Sequence, residues 1–214
     1  VPCLAARAVA RKGVRSCILI YQRHLMEIGS NGFERINCYA LVTYIPDPLG
    51  RFLDDLRRLL VPGSDPHAHV TLMPPRPLAA PPEALQQVRD FAEHLPVFEI
   101  EATSISVFPK TNVIYIEIGG GRDMLTAIHR MLNRDALAYE EPFPYHPHIT
   151  LAQEVGEAQI PAAVEIARRA WEDLPHPRTF PVQQMAFVQN SNLNQWTDLA
   201  TVPLVTPMPV PVRR

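Results

Sequence analysis

"HAHVTL", residues 67–72, and "HPHITL", residues 146–151, are one pattern written twice: His-x-His-x-Thr-Leu. The chain has 8 histidines in 214 residues, so two such copies call for a reason. On an extended strand, residues two apart share a face. His67, His69 and Thr71 therefore point one way, and Val70 and Leu72 the other. The second copy divides in the same manner, with His146, His148 and Thr150 opposite Ile149 and Leu151. Each strand offers a polar face to a cleft and an apolar face to a core. A lone His-x-Thr is most often an ordinary hydrogen-bonded pair. Two copies in one register, each set between two helices, point to a shared site.

Working outward, "NCYALVTYIPDP" (37–48) is a β-rich run stopped by prolines, which predicts a strand near 38–45. Leu49, Phe52, Leu53, Leu56, Leu59 and Leu60 recur at helical spacing until Pro62-Gly63. "PPEALQQVRDFAEHL" (81–95) opens on proline as a helix. "VFEIEATSISVF" and "NVIYIEIG" alternate as two strands of a hairpin around "PKT". "GGGR" (119–122) has neither dinucleotide nor P-loop spacing and reads as a turn into the next helix. "IPAAVEIARRAWEDL" is a helix, and "FPVQQMAFVQN" and "QWTDLATVPL" are one strand each. The order is β-α-β-α-β-β-α-β-α-β-β. After its opening strand it repeats a block of helix, His-Thr strand, helix and two strands. Such a repeat predicts two related lobes packed side by side.

Residues 37–204 are expected to form this domain. Residues 1–36 read as an N-terminal extension, basic and without the apolar core and cleavage pattern of a targeting peptide. Residues 205–214 form a proline-rich tail. A net charge of −2 gives no global pull toward nucleic acid, so any such ligand needs a local basic patch. Cys3, Cys17 and Cys38 are odd in number and lack a CxxC, as expected of reduced thiols in a cytoplasmic protein. No apolar run approaches the ~20 residues of a membrane span.

Histidine has an unperturbed pKa of about 6.5, nearest neutrality of all side chains. Two of them can hold opposite protonation states at one pH, one as base and one as acid. A threonine hydroxyl donates to an anionic oxygen without adding charge. Such a set suits in-line displacement at a phosphodiester, with a rate that rises and falls with pH around neutrality.

The pattern resembles that of the two-histidine (2H) phosphoesterase superfamily, which includes the 2'-5' RNA ligase-like proteins and the cyclic phosphodiesterases. The matching residues are His69-Val70-Thr71-Leu72 and His148-Ile149-Thr150-Leu151, 79 positions apart, with "YALVTYIP" before them and "FPKTNVIYIEI" between them. The resemblance spans about residues 37–204. It implies an α+β, bilobal duplicated fold with two antiparallel sheets lining a central groove and helices outside. It also implies no metal and no other cofactor. His69 and His148 would be the catalytic acid and base, in an order left open, and Thr71 and Thr150 would bind phosphate. RNA ends or small cyclic-phosphate nucleotides would be the substrate, with 2'-5' ligation as the reverse reaction. No membrane or obligate protein partner is implied.

His67 and His146 lie outside the minimal motif and read as exposed strand starts that could also touch substrate. Arg76 after the first motif, Lys110 at the hairpin tip and Tyr145 before the second are further candidate contacts to phosphate or base. Trp196 reads as core. His24, His94, His129 and His176 read as structural or solvated. Two other functions stay open: a metal hydrolase using the two His-x-His pairs, which lack a nearby carboxylate, and a module that binds RNA ends or nucleotides without turnover.

Overall fold

The computed structural model describes residues 33–64 and 67–206, so Cys3, Cys17, His24 and the extension up to residue 32 lie outside the described residues. The chain runs β1 (Arg35–Tyr44), α1 (Leu49–Leu60), β2 (His69–Arg76), α2 (Pro81–Ala92), β3 (Phe98–Val107), β4 (Ile114–Ile118) and α3 (Arg122–Leu132). It continues through β5 (His148–Ala152), α4 (Ile160–Glu172), β6 (Thr179–Val182), β7 (Gln184–Ser191) and β8 (Thr197–Pro203). Two four-stranded sheets form, in the orders β2-β1-β7-β8 and β5-β4-β3-β6, with antiparallel pairing between neighbours. Each motif therefore lies on an edge strand, and the two edges, β2 and β5, are in contact.

Helical periodicity sets what each helix buries. In α1 it is Leu49, Leu53 and Leu56; in α2, Ala84, Val88 and Ala92; in α3, Leu125, Ile128 and Leu132; in α4, Ala163, Ala167 and Trp171. These join Val70 and Leu72 of β2 and Ile149 and Leu151 of β5 in one core shared by both sheets. Full burial of such a side chain is worth roughly 1.5–3 kcal/mol, so the leucine and isoleucine faces fix the register of both motif strands. The opposite face of the first sheet carries small residues, Ala40, Val42, Ala186 and Val188, with Tyr44 packed beside them. His69 pairs with Tyr44 and Thr71 with Val42, and paired residues share a face, so both motif side chains stand over this shallow floor.

Two glycines permit close approaches. A Cβ on Gly50 would sit 2.2 Å from the Ile45 carbonyl oxygen, where α1 starts against β1. Gly121 has φ +83 and ends the turn that "GGGR" predicts.

The structure differs from the sequence reading over 180–190. That stretch is two strands, not one. β6 pairs with β3 in the second sheet and β7 with β1 in the first, with exposed Gln183 at the crossing. Gln183 and Gln184, two exposed residues in a row, mark the break, but without a turn residue between the apolar stretches on either side the sequence reads on as one strand. As a result the first sheet is assembled from both ends of the described chain, and the repeat in sequence does not divide it into halves. Trp196, expected in the core, is 40% exposed because it falls in the β7–β8 connection, before β8 begins.

Candidate active site

The two motifs are built alike atom for atom. The ring of His69 donates from Nδ1 to the His67 carbonyl oxygen at 2.7 Å, and His148 donates from Nδ1 to the His146 carbonyl oxygen at 2.7 Å. A carbonyl oxygen only accepts, so each neutral ring carries its proton on Nδ1 and presents a bare Nε2 lone pair. Both rings are half-buried, as are Thr71 and Thr150 two residues on. The threonine hydroxyls make no hydrogen bond among the described residues.

Burial lowers the His69 pKa to about 4, helped by the positive charges of Arg57, His67 and His148 and opposed by its bond to the His67 carbonyl. Burial also lowers His148; a charged His146 adds to this, while Glu117 pulls the other way. His69 thus feels the charge of His148, across from another sheet. Tyr145 ties the motifs covalently distant in sequence: its hydroxyl donates to the Thr71 carbonyl oxygen at 2.8 Å.

The flanking histidines differ from each other. His67 is exposed and stacks on Tyr44, with ring centroids 3.7 Å apart, while the Tyr44 hydroxyl donates to Asp198 on β8 at 2.5 Å. His146 donates from Nε2 to Glu117 at 3.0 Å, and Glu117 also accepts from Tyr115 at 2.7 Å and pairs with Arg122. Burial pushes the Glu117 carboxyl up, but these donors outweigh it and hold the group below its ordinary value. Phe108 stacks on Tyr115 and sets its ring at a steep angle to both His146 and His148, with centroids 5.2 and 5.0 Å away.

Lys110 is exposed at the β3–β4 hairpin tip. Arg76 has to be corrected. It is 1% exposed, and its guanidinium donates to Pro74, Asn133, Leu137 and Glu141, so no donor edge faces a ligand. The short, proline-flanked segment "PPRP" turns that side chain inward, which a surface reading misses. Glu141 also accepts from His129, whose ring lies flat on Tyr145 at 4.0 Å. Arg76, Glu141 and His129 thus brace Tyr145 from behind. Tyr44, Arg57, Phe108, Tyr115 and Glu117 are neighbours of the motif that sequence reading passed over. The first two carry no pattern beyond strand and helix periodicity. The last three lie in or beside "FPKTNVIYIEI".

Among the described residues no three His, Cys, Asp or Glu side chains are grouped to hold a metal ion. The outer histidines of the two His-x-His pairs turn to Tyr44 and Glu117. A cavity of about 680 Å³ lies away from the motifs, between α2 and the turn after α3, lined by Gln87, Phe91, Met131 and Arg134 among others. No helix of the described residues is long and apolar enough to cross a membrane.

Comparison with known proteins agrees with this arrangement. A family model described as the 2'-5' RNA ligase superfamily matches residues 45–194. A Geobacillus kaustophilus protein named "Putative phosphoesterase GK0864" is 26% identical over 131 residues, covering 56% of this chain and 72% of that one. Crystal structures of E. coli LigT, complexed with 3'-AMP, and of Thermus thermophilus TT0787 share the fold. For LigT the TM-score is 0.56 with 16% identity, over 81% of this chain and 99% of that one. For TT0787 it is 0.53 with 18% identity, over 78% and 97%. With the paired motifs on facing edge strands and most of the described chain matched, the chain belongs to the 2'-5' RNA ligase superfamily of two-histidine phosphoesterases.

Proposed function

We propose that the protein hydrolyses 2',3'-cyclic phosphate ends of RNA or related nucleotides, without a metal, using His69 and His148 as base and acid. The observation that carries this reading is the matched pair of imidazoles, anchored identically through Nδ1 and near enough for the charge of one to act on the other.

The surroundings also suggest a polarity. His69 sits in the field of a cation, Arg57, and is the more readily deprotonated. His148 has Glu117 opposite it on β4, which favours its protonated form. Nε2 of His69 takes a proton from water as the water oxygen forms its bond to phosphorus. The bond from phosphorus to one ribose oxygen breaks, and Nε2–H of His148 protonates that oxygen as it leaves. Thr71 and Thr150 donate to the non-bridging oxygens, where negative charge builds. With a 5'-hydroxyl attacking phosphorus in place of water, the same course joins two ends, and its reversal splits them. LigT of the same fold holds 3'-AMP, a nucleoside monophosphate, which accords with a nucleotide-sized ligand here.

The test is a panel of 2',3'-cyclic, 2'-5' and 3'-5' substrates with products resolved as 2'- or 3'-monophosphates. Turnover of the cyclic ends to a single monophosphate is expected. Binding of all of them with no turnover contradicts the proposal.

A further inference from the structure

Helix α1 carries Arg51, Arg57 and Arg58, and their fates differ. Arg51 is paired with Asp47 at 3.0 Å and Arg58 with Asp55 at 2.9 Å, both in exposed positions. Among the described residues, half-buried Arg57 has no carboxylate within 4.0 Å and its buried Nη1 has no hydrogen-bond partner. A guanidinium has five donors and does not give up its charge, so leaving one dry and unmatched is costly. The nearest acidic influence, Asp54, is already committed: its Oδ1 accepts from the Ala68 backbone N–H at 2.7 Å. That bond fastens α1 to the residue directly before His69. Arg57 lies one helical turn beyond Asp54, on the same face. The helix also contacts β5, the strand of the second motif. Arg57 therefore leaves a helix that touches both halves of the site.

Resting on the reading of the site as a phosphodiesterase, we propose that Arg57 is the cationic clamp for the substrate's phosphate, kept without a partner until the anion arrives. Beside the hydroxyls and imidazoles of the motifs, two other arginines are already committed: Arg76 and Arg122 are spent on Glu141 and Glu117. The effect of Arg57 on His69 is consistent with this position, and binding of an anion between them would cancel it.

The test uses the full chain and inorganic phosphate as probe. Calorimetric titration should show Arg57→Met binding phosphate about 10- to 100-fold more weakly than the parent, the scale of a lost charge-assisted contact. Melting temperature should stay level or rise, since a stranded cation has been removed. In the unmutated protein, the Arg57 side-chain nitrogen resonances should shift on adding phosphate; this reading does not depend on how the variant folds. Phosphate affinity of Arg57→Met within threefold of the parent, or silent Arg57 resonances at saturation, overturns the proposal. Hydrolysis is read separately. If the parent turns over no cyclic phosphate yet binds phosphate through Arg57, the clamp stands and the hydrolase reading falls. If turnover is intact and Arg57 is silent, the reverse holds.

Discussion

The Tyr145 hydroxyl donates to the backbone carbonyl of Thr71 at 2.8 Å, which bonds the residue leading into the second motif to the centre of the first. Burial raises the Tyr145 pKa beyond the ordinary phenol range, so the hydroxyl keeps its proton and the bond persists at all working pH. Tyr145→Phe removes the bond and keeps the stack on His129. A loss of ~1 kcal/mol in stability is expected. Turnover of a 2',3'-cyclic nucleotide should fall further, about tenfold in kcat/KM, because small misplacements of reacting groups are costly. Parallel denaturant melts and steady-state rates check this; equal rates in both proteins would show that the motifs hold their spacing without the bond.

The threonines offer a second test. Thr71→Ala or Thr150→Ala should lower kcat by up to ~10²-fold, less than a lone oxyanion donor because two hydroxyls share the charge. Serine at either position keeps the hydroxyl and should restore most of the rate. Alanine and serine variants that are equally slow would assign the threonines a packing role.

Depressed histidines move the pH profile. A base titrating at about 4 and an acid titrating below the ordinary 6.5 make kcat/KM for the free enzyme highest between those values. Sequence reading, which used unperturbed histidines, placed the optimum at neutrality. The acidic limb should belong to His69, and Arg57→Met, by removing a cation beside it, should move that limb upward. A profile flat from pH 5 to 9 contradicts the pairing of acid and base.

The same shift bears on stability. His69 is lowered in the folded protein, so the unfolded chain binds more protons between about pH 4 and 6.5. Its contribution is present in full above 6.5 and is lost as pH falls toward 4, a drop of roughly 3 kcal/mol. His69→Asn should flatten this part of the stability curve measured by urea unfolding from pH 4 to 7. An unchanged slope would mean that other groups cause it.

The motif strands and most helices were legible because their apolar faces follow strict periods: Val70 and Leu72, Ile149 and Leu151, or Leu49, Leu53 and Leu56. Three features were not. At Gln183 the chain changes sheets with no glycine or other turn residue to mark the crossing. Arg76 turns inward because Glu141, 65 residues away, receives it. Arg57 matters for what its Nη1 lacks among the described residues, which is visible only when the fold has been closed around it. Local sequence encodes faces; which faces meet is decided over distances the pattern does not carry.

The central claim is that His69 and His148 act as one unit on one phosphate, and hydrolysis of a nucleoside 2',3'-cyclic phosphate by four proteins tests it: parent, His69→Ala, His148→Ala and the double variant. Each single change should cost ~10²-fold or more. The double variant should be about as slow as either single one, as groups acting in one step are not additive. Losses that multiply in the double variant, or a parent that does not turn over the substrate, would contradict the account.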